Sequence, residues 1–143
     1  GICFGHQIIV QALNGLVEKH SSGWGTGIKP IKFYNQKPWL PKFKENVNLI
    51  SFHQDQVTKI PSYMAHLAES DFCKYYSLSV DDFVFTIQGH PEFSNAYALD
   101  LLEIKKENIK EKLYLESKRA LQEDNHQGHL FGNCIANFLD KNF

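Results

Sequence analysis

The chain has 143 residues, 43% of them apolar and 13% aromatic, which suits one domain with a real core and excludes a disordered tail. Its 15 basic and 16 acidic side chains balance, so no surplus of either sign points to nucleic acid or to a solvating tail. No apolar run reaches membrane-span length, no signal peptide opens the chain, and Cys3, Cys73 and Cys134 make a poor disulfide framework, so the expected setting is reducing and cytoplasmic.

In chain order, the opening Gly1-Ile2-Cys3-Phe4-Gly5 has the form G-x-C-x-G. It matches a nucleophile elbow, in which a strand turns sharply into a helix and the nucleophile sits strained on the turn. Flanking glycines are expected there because side chains would collide with the turn. Residues 6–14 carry Ile8, Ile9, Ala12 and Leu13 at helical spacing, with Gly15 as the stop. The Cys3 sulfur would then lie at a helix N-terminus, which lowers a thiol pKa, and the Phe4 backbone N–H would face a developing oxyanion. A buried structural cysteine between two turn glycines is the competing reading of these five residues.

Leu16 and Val17 start a short extended piece, and 21–27 reads as a Ser- and Gly-rich loop. Ile28, Ile31, Phe33 and Tyr34 predict a strand, placed at a sheet edge because Pro30 interrupts it. Residues 35–46, with Pro38 and Pro41, predict a surface loop with one helical turn. Strands are predicted at 47–52, 64–68, 73–78 and 83–88, with 56–62 as a connector closed by Pro61 and Asp81-Asp82 as a turn. Beyond Phe93 the pattern is helical. Ala96, Leu99 and Leu102 suit one helix, the charged stretch 105–122 an exposed one, and Ile135, Phe138 and Leu139 a helix that packs back on the core. Trp24 and Trp39 read as packing anchors, and Cys73 and Cys134 as inert core. His126 and His129 near Cys134 are too thin a ligand set for a metal and predict a solvated helix start. No metal or cofactor is implied. Strands followed by helices, with an early strand–elbow–helix step, give an α/β class.

Gln88-Gly89-His90-Pro91-Glu92-Phe93 follows the last predicted strand. A histidine just past a strand end can sit in a cleft at the carboxyl edge of a sheet. Pro91 stiffens the turn, and Glu92 can reach back to orient the imidazole. The chain thereby offers nucleophile, base and orienter in the order Cys3, His90, Glu92. A surface turn with a solvated His and Glu is the plainer alternative.

Together, Gly1-Ile2-Cys3-Phe4-Gly5-His6-Gln7 and Gly89-His90-Pro91-Glu92-Phe93 resemble the class I (triad-type) glutamine amidotransferases, with Gly23-Trp24-Gly25 and Ser51-Phe52-His53-Gln54-Asp55-Gln56-Val57 adding to the likeness. The subgroup it resembles is that of proteins similar to the amidotransferase domain of GMP synthase, including the γ-glutamyl peptidases. The resemblance implies a flavodoxin-like α/β fold. It implies Cys3 as the nucleophile of a γ-glutamyl thioester, His90 as general base and acid, and Glu92 as its orienter. Phe4 would serve through its backbone N–H, and Gln7 would help hold the substrate. His53, Gln54 and Asp55 would form a loop beside the substrate that acts through main-chain contacts. Family members carry strands and a Gly-rich loop ahead of the elbow, and that loop supplies a second oxyanion donor. This chain opens at Gly1, so 1–143 is expected to be a partial domain, with motifs in 1–93 and a helical region in 94–143, and to be poorly active alone.

Three functions are open on these residues. One is hydrolysis of the glutamine side-chain amide, with ammonia passed to a synthase, either a fused domain or a separate protein. Another is a stand-alone γ-glutamyl peptidase or hydrolase. A third is a truncated, inactive fragment that only binds a partner. Neither nucleic acid nor membrane is an expected partner.

Overall fold

The computed structural model describes residues 1–34, 37–43, 46–123 and 125–140. The elements run α1 (Phe4–Ala12), β1 (Leu16–Lys19), β2 (Gly25–Phe33), β3 (Val47–His53), β4 (Asp55–Lys59), β5 (Ala65–Glu69), β6 (Ser77–Val80), β7 (Val84–Ile87), α2 (Asn95–Ile104), α3 (Glu111–Gln122) and α4 (Gly128–Asp140), with a 3₁₀ turn at Lys106–Asn108. Five strands pair in the order β3-β2-β5-β6-β7, each antiparallel to its neighbour, and β1 pairs with β4 in a small separate sheet. A parallel bridge between Ile2 and Ile87 sets the opening residues along β7.

Successive strand residues point to opposite faces, and β3 uses both. Leu49 joins a core with Tyr76 and Phe85 and with Phe131 and Cys134 of α4, whereas Ile50 joins Leu102 of α2 and Tyr114 and Leu121 of α3. Helices therefore cover both faces of the sheet, as an α/β class requires. Helix α1 rests on a third cluster, through Val10 against Val57, Met64 and Leu78. Burial of each such side chain contributes about 1.5–3 kcal/mol. No helix among the described residues is long and apolar enough to cross a membrane.

Several elements depart from the expectations above. Strand β2 is not an edge strand: it lies between β3 and β5. Pro30 is tolerated because β5 pairs only with Lys32 and Phe33, so the stretch holding Pro30 meets a strand on one side only. The expected connector 56–62 is largely β4, paired with β1. The expected strand 73–78 shortens to β6, since Cys73 N closes a turn on Ser70, donating to both its carbonyl and its hydroxyl. Within 105–122 the helix breaks at the 3₁₀ turn and α3 has an inward face, Tyr114, Ser117 and Leu121, that its many charges conceal. Helix α1 ends on Asn14, whose φ of 69° takes the left-handed position expected for Gly15. A Cβ on Gly15 would overlap Val10, so that glycine answers to crowding. In the expected loop 35–46, Trp39 is buried and its Nε1 donates to Asp82 Oδ1 at 3.2 Å; residues 35, 36, 44 and 45 lie outside the described residues. His126 is not part of a solvated helix start: Ile50 N donates to its Nδ1 at 3.2 Å, covering the outer edge of β3. Among the described residues no group of three or more His, Cys, Asp and Glu could hold a metal ion.

Candidate active site

The elbow is built by pairing. Cys3 N donates to Ile87 O at 2.8 Å and Ile87 N donates to Gly1 O at 2.9 Å, which holds the first three residues extended beside β7. The chain then turns at once into α1, with Gly5 N donating to Ile2 O at 2.8 Å and Gln7 N to Cys3 O at 3.1 Å. Cys3 carries the turn at φ 47° and ψ −102°, a region L-residues rarely occupy and one that costs about 1–3 kcal/mol. Of the two flanking glycines, only Gly1 answers to crowding. A Cβ there would lie 2.6 Å from Gly5 O, whereas a Cβ on Gly5 would meet open space.

The Cys3 thiol is half-buried, and its pKa is raised rather than lowered as the helix N-terminus suggested. Burial is the largest cause. The Phe4 backbone N–H opposes it, the Glu92 carboxylate adds to it, and the Gln88 side chain opposes it again. The sulfur therefore rests as a thiol, and a base has to take its proton before it can attack.

His90, the expected base, sits where β7 leaves the sheet. Gln88 N donates to Tyr76 O and His90 N to Ile50 O, each at 2.8 Å, which fixes the turn after Ile87 against both β3 and the residue that precedes β6. Gly89 has no room for a side chain, because its Cβ would overlap the hydroxyl of the fully buried Tyr76, which shares a 2.9 Å hydrogen bond with Ser51 Oγ. Gly89→Ala is therefore expected to destabilise the fold by about 1–3 kcal/mol through overpacking. Chemical denaturation checks this, and an unchanged midpoint contradicts it.

His90 Nδ1 lies 2.8 Å from Glu92 Oε1, with the imidazole 12% exposed and the carboxylate 47% exposed. A carboxylate only accepts, so Nδ1 is the donor of this pair and Nε2 is the ring nitrogen left for another partner. The ring is also stacked on Phe93, with centroids 3.9 Å apart and planes 13° apart, and Phe93 in turn meets Tyr97 edge-on at 4.6 Å. Carboxylate and aromatic together leave the imidazole one orientation.

The remaining expected residues divide. Gln7 Nε2 donates to Asp55 O at 2.6 Å and to Gln88 Oε1 at 3.1 Å, so Asp55 meets the site through its main chain. The expected loop 53–55 is a corner, with His53 ending β3, Asp55 opening β4 and only Gln54 between; Gln54 O accepts from His20 N at 2.9 Å. His53 itself is turned inward, 4% exposed, with its ring 5.6 Å from Phe72. Its pKa falls to about 4, chiefly through burial, with the Gln56 side chain opposing and the field of His90 adding. It is a neutral group behind the site.

Two residues to which the sequence alone assigns no role stand at the centre of this geometry. Phe93 carries the imidazole, and Gln88, fully buried, places its Nε2 3.5 Å from Cys3 Sγ. A polar amide following directly on the strand Val84–Ile87 is the available signal for Gln88. Along the outer side of α1 and β1 opens a cleft of about 340 Å³ whose walls include Phe4, Gln7, Ile8, Glu18, Lys19 and Asp55; Cys3, Gln88 and His90 are not among its lining residues.

Comparison with known proteins places this arrangement. The model of the family described as glutamine amidotransferase class-I matches residues 1–102. Gamma-glutamyl peptidase 3 of Arabidopsis thaliana is 31% identical over 109 residues, covering 72% of this chain and 44% of the peptidase. A glutamine-hydrolyzing GMP synthase subunit of Methanoculleus marisnigri is 31% identical over 96 residues, covering 66% of this chain and 52% of that protein. The crystal structure of a glutamine amidotransferase from Thermotoga maritima superposes with a TM-score of 0.73 at 16% identity, over 99% of this chain and 60% of that one. The chain spans about half the length of the curated relatives it matches.

Proposed function

Because the chain belongs to the glutamine amidotransferase class-I family and has its flavodoxin-like α/β fold, we propose that it cleaves the side-chain amide of glutamine through a thioester on Cys3. One observation carries this reading: a strained Cys3 is hydrogen-bonded to Ile87, and the same strand runs on within three residues to an imidazole oriented by Glu92.

In the proposed reaction His90 Nε2 takes the Cys3 proton as the sulfur attacks the γ-carbonyl carbon. The carbonyl oxygen becomes an oxyanion within reach of the Phe4 N–H. His90 returns its proton to the amide nitrogen, the C–N bond breaks and ammonia leaves. Water, deprotonated by His90, then attacks the thioester, releasing glutamate and restoring the thiol. The raised thiol pKa makes His90 indispensable to the first step, since little thiolate stands ready without it.

His90→Asn is accordingly expected to lower kcat/KM by about 10³-fold or more. Glu92→Gln, at a half-exposed position, should cost about 10-fold to 100-fold, acting through the orientation of the ring. Equal losses in the two variants would contradict the roles given to them.

A second reading is favoured by the gamma-glutamyl peptidases among the relatives. The leaving group is then an amino acid or peptide amine, and the chemistry at Cys3 is unchanged. The relatives named as glutamine-hydrolyzing GMP synthase subunits support a synthase as the ammonia acceptor under the first reading. Three free cysteines, one of them the nucleophile, suit a reducing compartment, which we take to be the cytoplasm. Ammonia release from glutamine, measured on the full-length protein beside cleavage of a γ-glutamyl dipeptide with Cys3→Ala as control, separates the readings by their kcat/KM. Absence of both activities in the wild type, or their persistence in Cys3→Ala, overturns the proposal.

A further inference from the structure

We propose that Gln88 is a catalytic residue of this site, whose amide nitrogen donates to Cys3 Sγ in an orientation fixed by Gln7. This rests on Cys3 being the nucleophile and adds a side chain in contact with the reacting sulfur.

The orientation follows from hydrogen-bond bookkeeping along a chain of three contacts. Asp55 O is a backbone carbonyl and only accepts, so the Gln7 group 2.6 Å from it is the NH₂. An amide nitrogen has two hydrogens, and the second faces Gln88 Oε1 at 3.1 Å. With its oxygen committed to Gln7, Gln88 turns its own NH₂ to the sulfur at 3.5 Å. Flipping the Gln88 amide would set nitrogen against nitrogen at Gln7 and oxygen against sulfur at Cys3. Both contacts would be lost, with no water to replace them, because Gln88 is fully buried.

A donor held against sulfur in this way distinguishes the thiolate from the thiol. It strengthens as Cys3 passes its proton to His90 and weakens again when the sulfur is acylated. It strengthens once more when the thioester sulfur leaves with its electron pair. The amide forms and breaks no covalent bond. Glu92 is the carboxylate whose field reaches Cys3, and it disfavours the thiolate. Cys73 and Tyr76 lie within electrostatic reach of Cys3 and are held neutral by burial. The Phe4 N–H and the Gln88 amide are therefore the donors that oppose burial and Glu92. Since Gln7 and Asp55 also form the wall of the cleft, the same chain of bonds links the wall to the sulfur.

The test is the pH profile of Cys3 alkylation by iodoacetamide, followed by mass spectrometry of the Cys3 peptide, in the intact protein, in Gln88→Met and in Gln7→Met. Gln88→Met keeps the volume and removes the donor. It is expected to hold about tenfold less thiolate at a given pH below the midpoint, and to lose kcat about tenfold with little change in KM. Gln7→Met leaves the buried amide in place but frees its orientation, and should give a smaller shift in the same direction. An unchanged alkylation midpoint in Gln88→Met, or in Gln7→Met if Gln88→Met does not fold, overturns the proposal. An inactive wild type would instead sink the reading of Cys3 as nucleophile. An active wild type with an unshifted Gln88→Met removes only the role of Gln88.

Discussion

Replacing Cys3 by alanine or by glycine is expected to lower the proposed hydrolysis by about 10⁴-fold or more in each case, and to leave the glycine variant the more stable by about 1 kcal/mol. The first effect follows from the loss of the sulfur. The second follows from the backbone: at φ 47° the residue after Ile2 stands where a Cβ is penalised, and alanine keeps that Cβ while glycine does not. Glycine normally destabilises relative to alanine through the freedom it gains in the unfolded chain, so an order reversed at this position is diagnostic of strain in the folded one. Ammonia release and urea denaturation of the two variants measure both effects. Alanine equal to or more stable than glycine would mean that the turn at Cys3 stores no strain.

Acidification from pH 7 to pH 5 is expected to lower the unfolding free energy by about 4 kcal/mol, through two histidines kept neutral inside the fold. His6 is fully buried, with Nδ1 2.8 Å from Thr86 Oγ1, and its pKa falls to about 3, chiefly through burial and then through the field of His53. His53 falls to about 4 for the same leading reason. In the unfolded chain both return to about 6.5, so below that pH the unfolded state binds protons that the folded state refuses. Stability is therefore complete above pH ~6.5 and declines as pH falls toward the two folded values, by about 1.4 kcal/mol per pH unit for each histidine, or about 2 kcal/mol each at pH 5. Carboxylates titrate mostly lower, which isolates this window. With a urea dependence of about 2 kcal/mol per molar, the midpoint should drop by about 2 M between the two pH values. Equal midpoints would mean that these rings are protonated in place, or that the fold opens to admit water to them.

The residues around Cys3 and His90 show what the sequence discloses and why it stops. The elbow is legible because G-x-C-x-G is local: strand, turn and helix are consecutive, and the φ of 47° at Cys3 is the strain that the motif leads one to expect. The Gly-His-Pro-Glu turn is legible for the same reason, and Nδ1 of His90 meets a carboxylate two residues away. Gln88 is not legible as a partner of Cys3, since 85 positions separate them and only the pairing of Ile2 with Ile87 brings them together. The direction of the thiol pKa is hidden in the same way. A helix N-terminus can be read from local pattern, but burial and the approach of Glu92 belong to the assembled fold, and they prevail. Among the elements, β4 reads as a connector because its pattern Asp-Gln-Val-Thr-Lys alternates weakly, and its pairing with β1 is decided at a distance. The inward face of α3 is sparse, Tyr114, Ser117 and Leu121, so charge dominates the pattern of that stretch.

Cys3 and His90, the proposed nucleophile and base, hang from one strand. Cys3 is bonded to Ile87, and His90 stands three residues further along the same chain, itself bonded to Ile50. Cys3 moves with β7, whereas His90 is moored to β3 as well, and these strands stand at opposite ends of the five-stranded order. The spacing of the two groups is thus a readout of whether the whole sheet is in place.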